Sequence, residues 1–269
     1  MSSNRPSYST AAAQEANCLP ELRLILLGWR WPGKSLTGNT ILGREEFHLE
    51  RAAEFCVKRE TEVDQRKVTV VDTPGWFSAQ TTPADYQQEM VRSVTLCPPG
   101  PHAFLLVIPV GMFTETDRAH IEENIALFGE NVWKHTIVVF TWAEVLKDRS
   151  IERHIRKEGR ELQWVVDKCK KRYHVINNYI FGEHPQLLQL MEKVEKIVSE
   201  EGGYFTLKTD EPKTPSETQS LNLNTNSLKE NRELGARPKQ NGSCNSLRGT
   251  DLNPPQSEFM SQHTMYNKC

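Results

Sequence analysis

The sequence predicts an α/β fold: a mostly parallel central sheet covered by helices on both faces, a three-layer αβα sandwich. Three observations lead there. Short apolar runs of strand length recur along the chain. Longer segments with helical periodicity lie between them. The first apolar run ends in a glycine and passes through a short loop directly into a helical segment.

In order, "LRLILLG" (Leu22 to Gly28), "KVTVVDTPG" (Lys67 to Gly75), "HAFLLVIPV" (His102 to Val110) and "HTIVVFT" (His135 to Thr141) read as buried strands, and "YHVINN" (Tyr173 to Asn178) as a weaker fifth. Helices are expected over Ser35 to Leu42, Asp85 to Leu96, Glu115 to Phe128, Ile151 to Lys171 and Pro185 to Glu200. Residues 1–20 are small and polar, a flexible arm. Residues 204–269 are rich in Asn, Ser, Thr, Pro and charge, too poor in apolar surface to offset their chain entropy, and read as a disordered tail. The expected folded domain is therefore 21–203.

Composition excludes several classes. The 269 residues carry a formal net charge of −2, so no global field draws the chain to nucleic acid or an anionic membrane. The basic stretch Arg156 to His174 is interleaved with acids and spaced like a solvated helix face. The 6 cysteines show no paired spacing and read as inert thiols of a reducing compartment. No His pattern suggests zinc. No signal peptide, membrane span or lipidation motif is evident, which makes the cytoplasm the expected location. The Asn241-Gly242-Ser243 sequon then reads as a chance match.

The chemistry starts in "GWRWPGKSLTGNTILG" (Gly28 to Gly43). Gly28, Gly33, Lys34 and Ser35 form GxxxxGK[ST] between a strand and a helix, the pattern of a phosphate-binding loop. Its amides wrap phosphates at the positive end of a helix. Lys34 reaches the β- and γ-phosphates, and Ser35 offers a hydroxyl to Mg²⁺. Pro32 has no N–H; the loss of one charge-assisted bond is worth about 1.5–3 kcal/mol at most, which weakens binding without abolishing it. Trp29, Arg30 and Trp31 are expected to point outward, either to a partner or into solvent.

A second box, "VVDTPGW" (Val70 to Trp76), follows at the spacing of a GTPase. Asp72 is expected to back Mg²⁺ from outside its direct ligands, and the Gly75 amide to sense the γ-phosphate. With "LILLG…PGKSLTGNTILG", "VTVVDTPGWF", the long piece Cys97 to Leu146 and "RYHVINN", the chain resembles the GIMAP, or immunity-associated nucleotide-binding (IAN), family of septin-like GTPases over about residues 21–203. The resemblance implies a P-loop NTPase G domain, GTP or GDP with Mg²⁺ as ligands, and nucleotide-dependent homo-oligomerisation through the G domain. Carried over by position, the phosphate-binding set is Gly28, Arg30, Trp31, Gly33, Lys34, Ser35, Leu36 and Gly75. The base-binding set is Trp142, Glu144, Asn177 and Asn178, and the metal set is Ser35 and Asp72.

Three positions depart from the family pattern, and Asn177-Asn178 matches its fifth G-motif. The threonine that closes onto Mg²⁺ falls on Ala53, with Thr61 available only by a register shift. The position after Gly75 is Trp76, where Ras-like enzymes orient water with a glutamine; Arg30 acting across a dimer is one way to supply the missing charge. Glu144 is the carboxylate nearest the expected guanine-reading position, either reading the base with Trp142 stacked on it or simply solvated. Asn177 and Asn178 either touch the base or form a polar turn. No catalytic residue is assigned. Two functions fit: a slow GTPase switch that assembles through its G domain, or a nucleotide-binding interaction scaffold with negligible hydrolysis.

Overall fold

The computed structural model describes residues 19–30, 33–49, 52–78, 80–180 and 184–207. The expected arm lies outside the described residues except for its last two positions, and the expected tail lies outside them except for 204–207. The strands are β1 (Glu21–Leu27), β2 (Val57–Val63), β3 (Arg66–Asp72), β4 (Ala103–Pro109), β5 (Thr136–Thr141) and β6 (Tyr173–Val175). The helices are α1 (Lys34–Leu42), α2 (Ala84–Arg92), α3 (Glu115–Ala126), α4 (Ile151–Lys157), α5 (Arg160–Lys168) and α6 (Pro185–Glu201). The sheet order is β2-β3-β1-β4-β5-β6. Every pairing is parallel except that of β2 with β3.

Strand alternation sorts the side chains into two cores. Leu22, Leu24 and Leu26 of β1 join Ile41 of α1 and Leu187, Leu190 and Val194 of α6 on one face. Ile25 and Leu27 join Met90 of α2, Ile121 and Ile125 of α3, and Leu162 and Val165 of α5 on the other. The three-layer αβα fold expected from the sequence is what forms.

Three details differ from the expectation. β2 has no apolar run: "VKRETEV" is an edge strand whose residues alternate between half-buried and exposed, a pattern that charged residues mask. The helix expected over Ile151 to Lys171 is two, because Gly159 at φ +88° breaks it between α4 and α5. The packed domain also runs past Gly203. The Phe205 N–H donates to the Pro101 carbonyl at 2.8 Å, and its ring, 1% exposed, meets Phe104 at 5.0 Å. One aromatic in a polar stretch gives no periodic signal, so the composition shift placed the boundary too early.

Cys56, Cys97 and Cys169 are buried free thiols. Burial pushes Cys97 and Cys169 up to about 12, which leaves them protonated and unreactive. Cys18, Cys244 and Cys269 lie outside the described residues. No helix among the described residues is long and apolar enough to cross a membrane.

Candidate functional site

The site lies at the carboxyl ends of β1, β3, β4 and β5. Gly28 leaves β1 at φ +151°, and a Cβ there would sit 2.8 Å from the Val107 carbonyl oxygen of β4 and 3.4 Å from the Lys34 stem. A bare backbone at this point is what lets Lys34 fold back over the loop. Gly33 caps α1 with φ 84° and no side-chain bond, so the first amides of α1 have no side-chain cap.

Lys34 is 3% exposed, with its ammonium 3.7 Å from Asp72 Oδ1. The Ser35 hydroxyl donates to Asp72 Oδ2 at 2.5 Å. Asp72 is 1% exposed, and its Oδ1 accepts no hydrogen bond. The buried carboxylate and the hydroxyl offer oxygens of the kind hard cations take, while the ammonium offers positive charge to an anion. Ser35 would hold Mg²⁺ with Asp72 behind it, and the ion would supply the positive charge that phosphate oxygens need. A cavity of about 150 Å³ opens over these groups, lined by Arg30, Gly33, Lys34, Ser35 and Leu36, by His48, Leu49 and Ala52, and by Trp142.

His48, Leu49 and Ala52 escaped the sequence reading because their loop carries no motif. The signal that locates the loop is Asn39. An Asn inside a helix competes with its own backbone unless its amide finds a partner. Here Nδ2 donates to the Phe47 carbonyl at 2.9 Å, and Oδ1 accepts from the Glu46 and Phe47 amides at 3.0 and 2.8 Å. These bonds hold the chain beside α1 just before it reaches the cavity. Ala52 lines the cavity and Ala53 is half-buried; neither side chain has an oxygen. Thr61 does not substitute: it sits within β2, where its hydroxyl donates to the Leu42 carbonyl at 3.3 Å and pairing with Val68 of β3 fixes its register.

The second box is bonded onto the first. Thr73 Oγ1 donates to the Leu26 carbonyl at 2.6 Å. A Cβ on Gly75 would lie 2.3 Å from the Arg30 Cα, so the two backbones are in direct contact. The Trp76 N–H then donates to the Gly28 carbonyl at 3.2 Å, and the Arg30 N–H donates to the Trp76 carbonyl at 3.0 Å. These bonds form a parallel bridge between Trp29 and Trp76.

This geometry corrects the outward orientation expected of Trp29 and Arg30. Trp76 is 0% exposed, and Trp29 is half-buried with its ring edge-on to Trp76 at a 5.5 Å centroid distance. The Arg30 guanidinium lies 5.0 Å above the Phe77 ring and 5.7 Å above the Tyr86 ring. Two large indoles gain more by covering one another than by facing water, and such a pair adds about 0.5–1.5 kcal/mol beyond area burial. The Arg30 stack adds about 0.5–1 kcal/mol at a half-exposed position. Trp31 and Pro32 lie outside the described residues.

The expected base-binding residues meet only in part. Trp142 (φ 60°), Glu144 and Asn178 surround a depression of about 10 Å³ together with Leu36 and Tyr179. Glu144 is exposed at its lip. Asn178 is buried and holds α1: its Nδ2 donates to Thr37 Oγ1 at 3.3 Å, and its Oδ1 accepts from Thr40 Oγ1 at 3.1 Å. Asn177 turns away from the depression; its Oδ1 accepts from the Tyr179 amide at 2.9 Å and its N–H donates to Gln186.

Residues 22–224 match the AIG1 family. The chain belongs to the AIG1 family. The human GTPase IMAP family member 8 is 35% identical over 71% of this chain, which spans 30% of that relative's length. The immune-associated nucleotide-binding protein 9 of Arabidopsis thaliana is 32% identical over 68% of this chain and 57% of its own length. Among solved structures, Toc33 from Arabidopsis thaliana in complex with Mg²⁺ and GMPPNP superposes with a TM-score of 0.54, at 16% identity, over 68% of this chain and 86% of that one. At that identity the likeness concerns the G-domain fold, which this AIG1-family chain shares.

Proposed function

We propose that this AIG1-family domain binds a guanine nucleotide, GTP or GDP, with Mg²⁺, and that hydrolysis by the isolated chain is slow at most. The observation that carries this reading is the convergence of the buried Lys34 ammonium, the Ser35 hydroxyl and Asp72 Oδ1, which accepts no hydrogen bond, beneath one cavity at the start of α1. Phosphates suit the loop of Gly28, Arg30, Gly33, Lys34, Ser35 and Leu36, with Gly75 behind it. The base falls to the side of Trp142, Glu144 and Asn178. Guanine as the base, Mg²⁺ as the ion and assembly through the G domain rest on similar proteins: the human relative is a GTPase by name, and Toc33 has been solved with Mg²⁺ and GMPPNP and with GDP and Mg²⁺, with dimerization described as important for its GTPase activity.

A second reading, an interaction scaffold with negligible hydrolysis, is favoured by Ala53 and Trp76. An alanine has no oxygen to close onto Mg²⁺, and a fully buried indole cannot orient water as a glutamine does. Both readings predict binding of GDP. Calorimetric titration of the full chain with GDP and Mg²⁺ is the deciding measurement: a Kd in the micromolar range or tighter supports the assignment, and no heat at high protein concentration refutes it. Single-turnover assays with GTP then separate slow hydrolysis from none.

A further inference from the structure

In a nucleotide switch, the glycine of the second box moves with the γ-phosphate while the phosphate loop stays still. For that to happen the segment around Gly75 must be free of the loop in at least one state. In this conformation three contacts centred on Trp29, Arg30 and Trp76 tie it to the loop. The main chain is bridged on both sides of Trp29 by the Trp76→Gly28 and Arg30→Trp76 bonds. Trp76 is fully buried against Trp29. Beyond the bridge, Arg30 reaches over Phe77 and over Tyr86 of α2, so a phosphate-loop side chain clasps the start of the segment and the helix that follows it.

The clasp also uses up groups that a triphosphate would call on. The Arg30 amide, part of the loop that surrounds phosphate, is already bonded to the Trp76 carbonyl. The Gly75 backbone is pressed against Arg30 with no room for a side chain, so it cannot advance over the loop without parting the bridge. Ala52, which lines the cavity, and the half-buried Ala53 next to it in the chain have no hydroxyl to meet a third phosphate. Among the described residues of the phosphate loop and α1, Lys34, Ser35 and the first amides of α1 remain, and these serve a diphosphate and a triphosphate alike.

We propose that Trp76, Trp29 and Arg30, with Phe77 and Tyr86, strap the second box onto the phosphate loop, so that the site holds nucleoside di- and triphosphates through the same groups and does not distinguish them. This rests on the nucleotide-binding reading above. It makes Trp76, Phe77 and Tyr86 positioning residues: they set what Gly75 can do rather than touching the ligand. A ligand with equal affinity for two states shifts neither. The domain then presents one surface whichever nucleotide it holds, and nucleotide occupancy, rather than the identity of the nucleotide, is the signal that a partner reads.

The test uses the full chain with Mg²⁺, titrated with GDP and with GMPPNP, alongside amide hydrogen exchange of the stretches containing Arg30 and Trp76. The expected result is affinities for the two within about threefold, with equal protection of both amides. A preference for GMPPNP above about tenfold, or loss of Trp76 protection on adding GMPPNP alone, overturns the strap. Failure to bind GDP at all refutes the nucleotide assignment instead, and the inference falls with it, so the two failures are told apart. Tyr86→Ala and Phe77→Ala loosen the strap by removing the rings under Arg30 while leaving every phosphate-loop residue in place, and both side chains are half-buried. Each should speed exchange at Trp76 and raise the GMPPNP-to-GDP preference by about fivefold at nearly constant GDP affinity. An unchanged ratio together with faster exchange would show that the strap does not govern selectivity and would overturn the proposal. Trp76→Ala is less informative because it removes a core side chain.

Discussion

The two ends of the candidate nucleotide site are built differently. The phosphate end is made of buried charge and touching backbone: Lys34 and Asp72 are 3% and 1% exposed, and Gly28 and Gly75 leave no space for a methyl group. The base end is loose. Glu144 and Asn177 are exposed, Tyr179 is 70% exposed, and the depression between Trp142 and Asn178 holds about 10 Å³, room for a water and not a purine. Pre-organised groups lose little on binding, whereas loose ones must be ordered at a cost of about 0.5–1.5 kcal/mol per side chain. If the site takes a nucleotide as proposed, the contrast predicts that most of the affinity lies on the phosphates and little of the selectivity on the base.

The largest expected effect is at the phosphate end. Lys34→Ala removes the buried cation and leaves Asp72 without its partner charge, so GDP affinity should fall by about a hundredfold or more, corresponding to about 3 kcal/mol, in calorimetry. Retention of the wild-type Kd would sink the phosphate-loop assignment. Next comes Gly75→Ala. Its Cβ would fall 2.3 Å from backbone that cannot rotate away, so about 2 kcal/mol of stability should be lost, seen as a Tm lower by roughly 4–8 °C. An unshifted Tm would mean that the two boxes are not in contact in solution.

A third effect concerns the scaffold common to both ends. His102 accepts the Arg23 N–H at Nδ1, and its pKa is pushed down to about 4 by burial and then by the Arg23 guanidinium. His174, on the strand behind the base end, is pushed down to about 4 by burial and then by Lys193. Unfolded histidine titrates near 6.5, so between about pH 6.5 and 4 the unfolded chain binds more protons than the folded one. The stability these residues contribute is therefore complete above about pH 6.5 and is lost as pH falls toward 4. A thermal melt at pH 5 should give a lower Tm than at pH 7, and His102→Gln should flatten the difference if the variant folds. Equal melting temperatures at the two pH values would contradict the burial of these rings.

The smallest effect is at the base end. Glu144→Gln should change the preference for GDP over ADP by less than about fivefold, because an exposed acid contributes little through solvent. A loss of about a hundredfold would show that Glu144 closes over the base when nucleotide binds, and that the loose end is ordered by its ligand.

The parts that were legible in the sequence share one property: they are local. Gly28, Gly33, Lys34 and Ser35 announce a phosphate loop because the residues that act together are neighbours in the chain, and β1, β3, β4 and β5 show as continuous apolar runs because both of their faces are buried. Asp72 is legible because a strand leads to it. The rest depends on contacts between distant segments. β2 is specified by its pairing with β3 rather than by its own pattern. Asn39 matters only because Phe47 lies beside it, and Asn178 because Thr37 and Thr40 do. Phe205 belongs to the core because Phe104 and Pro101 are there to receive it.

Trp76 shows the division most clearly. Its identity removes the glutamine of a Ras-like site, and that much can be read from seven letters. Its burial, its bridge to Trp29 and the folding of Arg30 over Phe77 and Tyr86 arise only when β1 and β3 are laid side by side. Periodicity and spacing act along one dimension, so they assign the chemistry of the loop. Close packing acts in three, so it sets which of those groups are free to respond to a ligand.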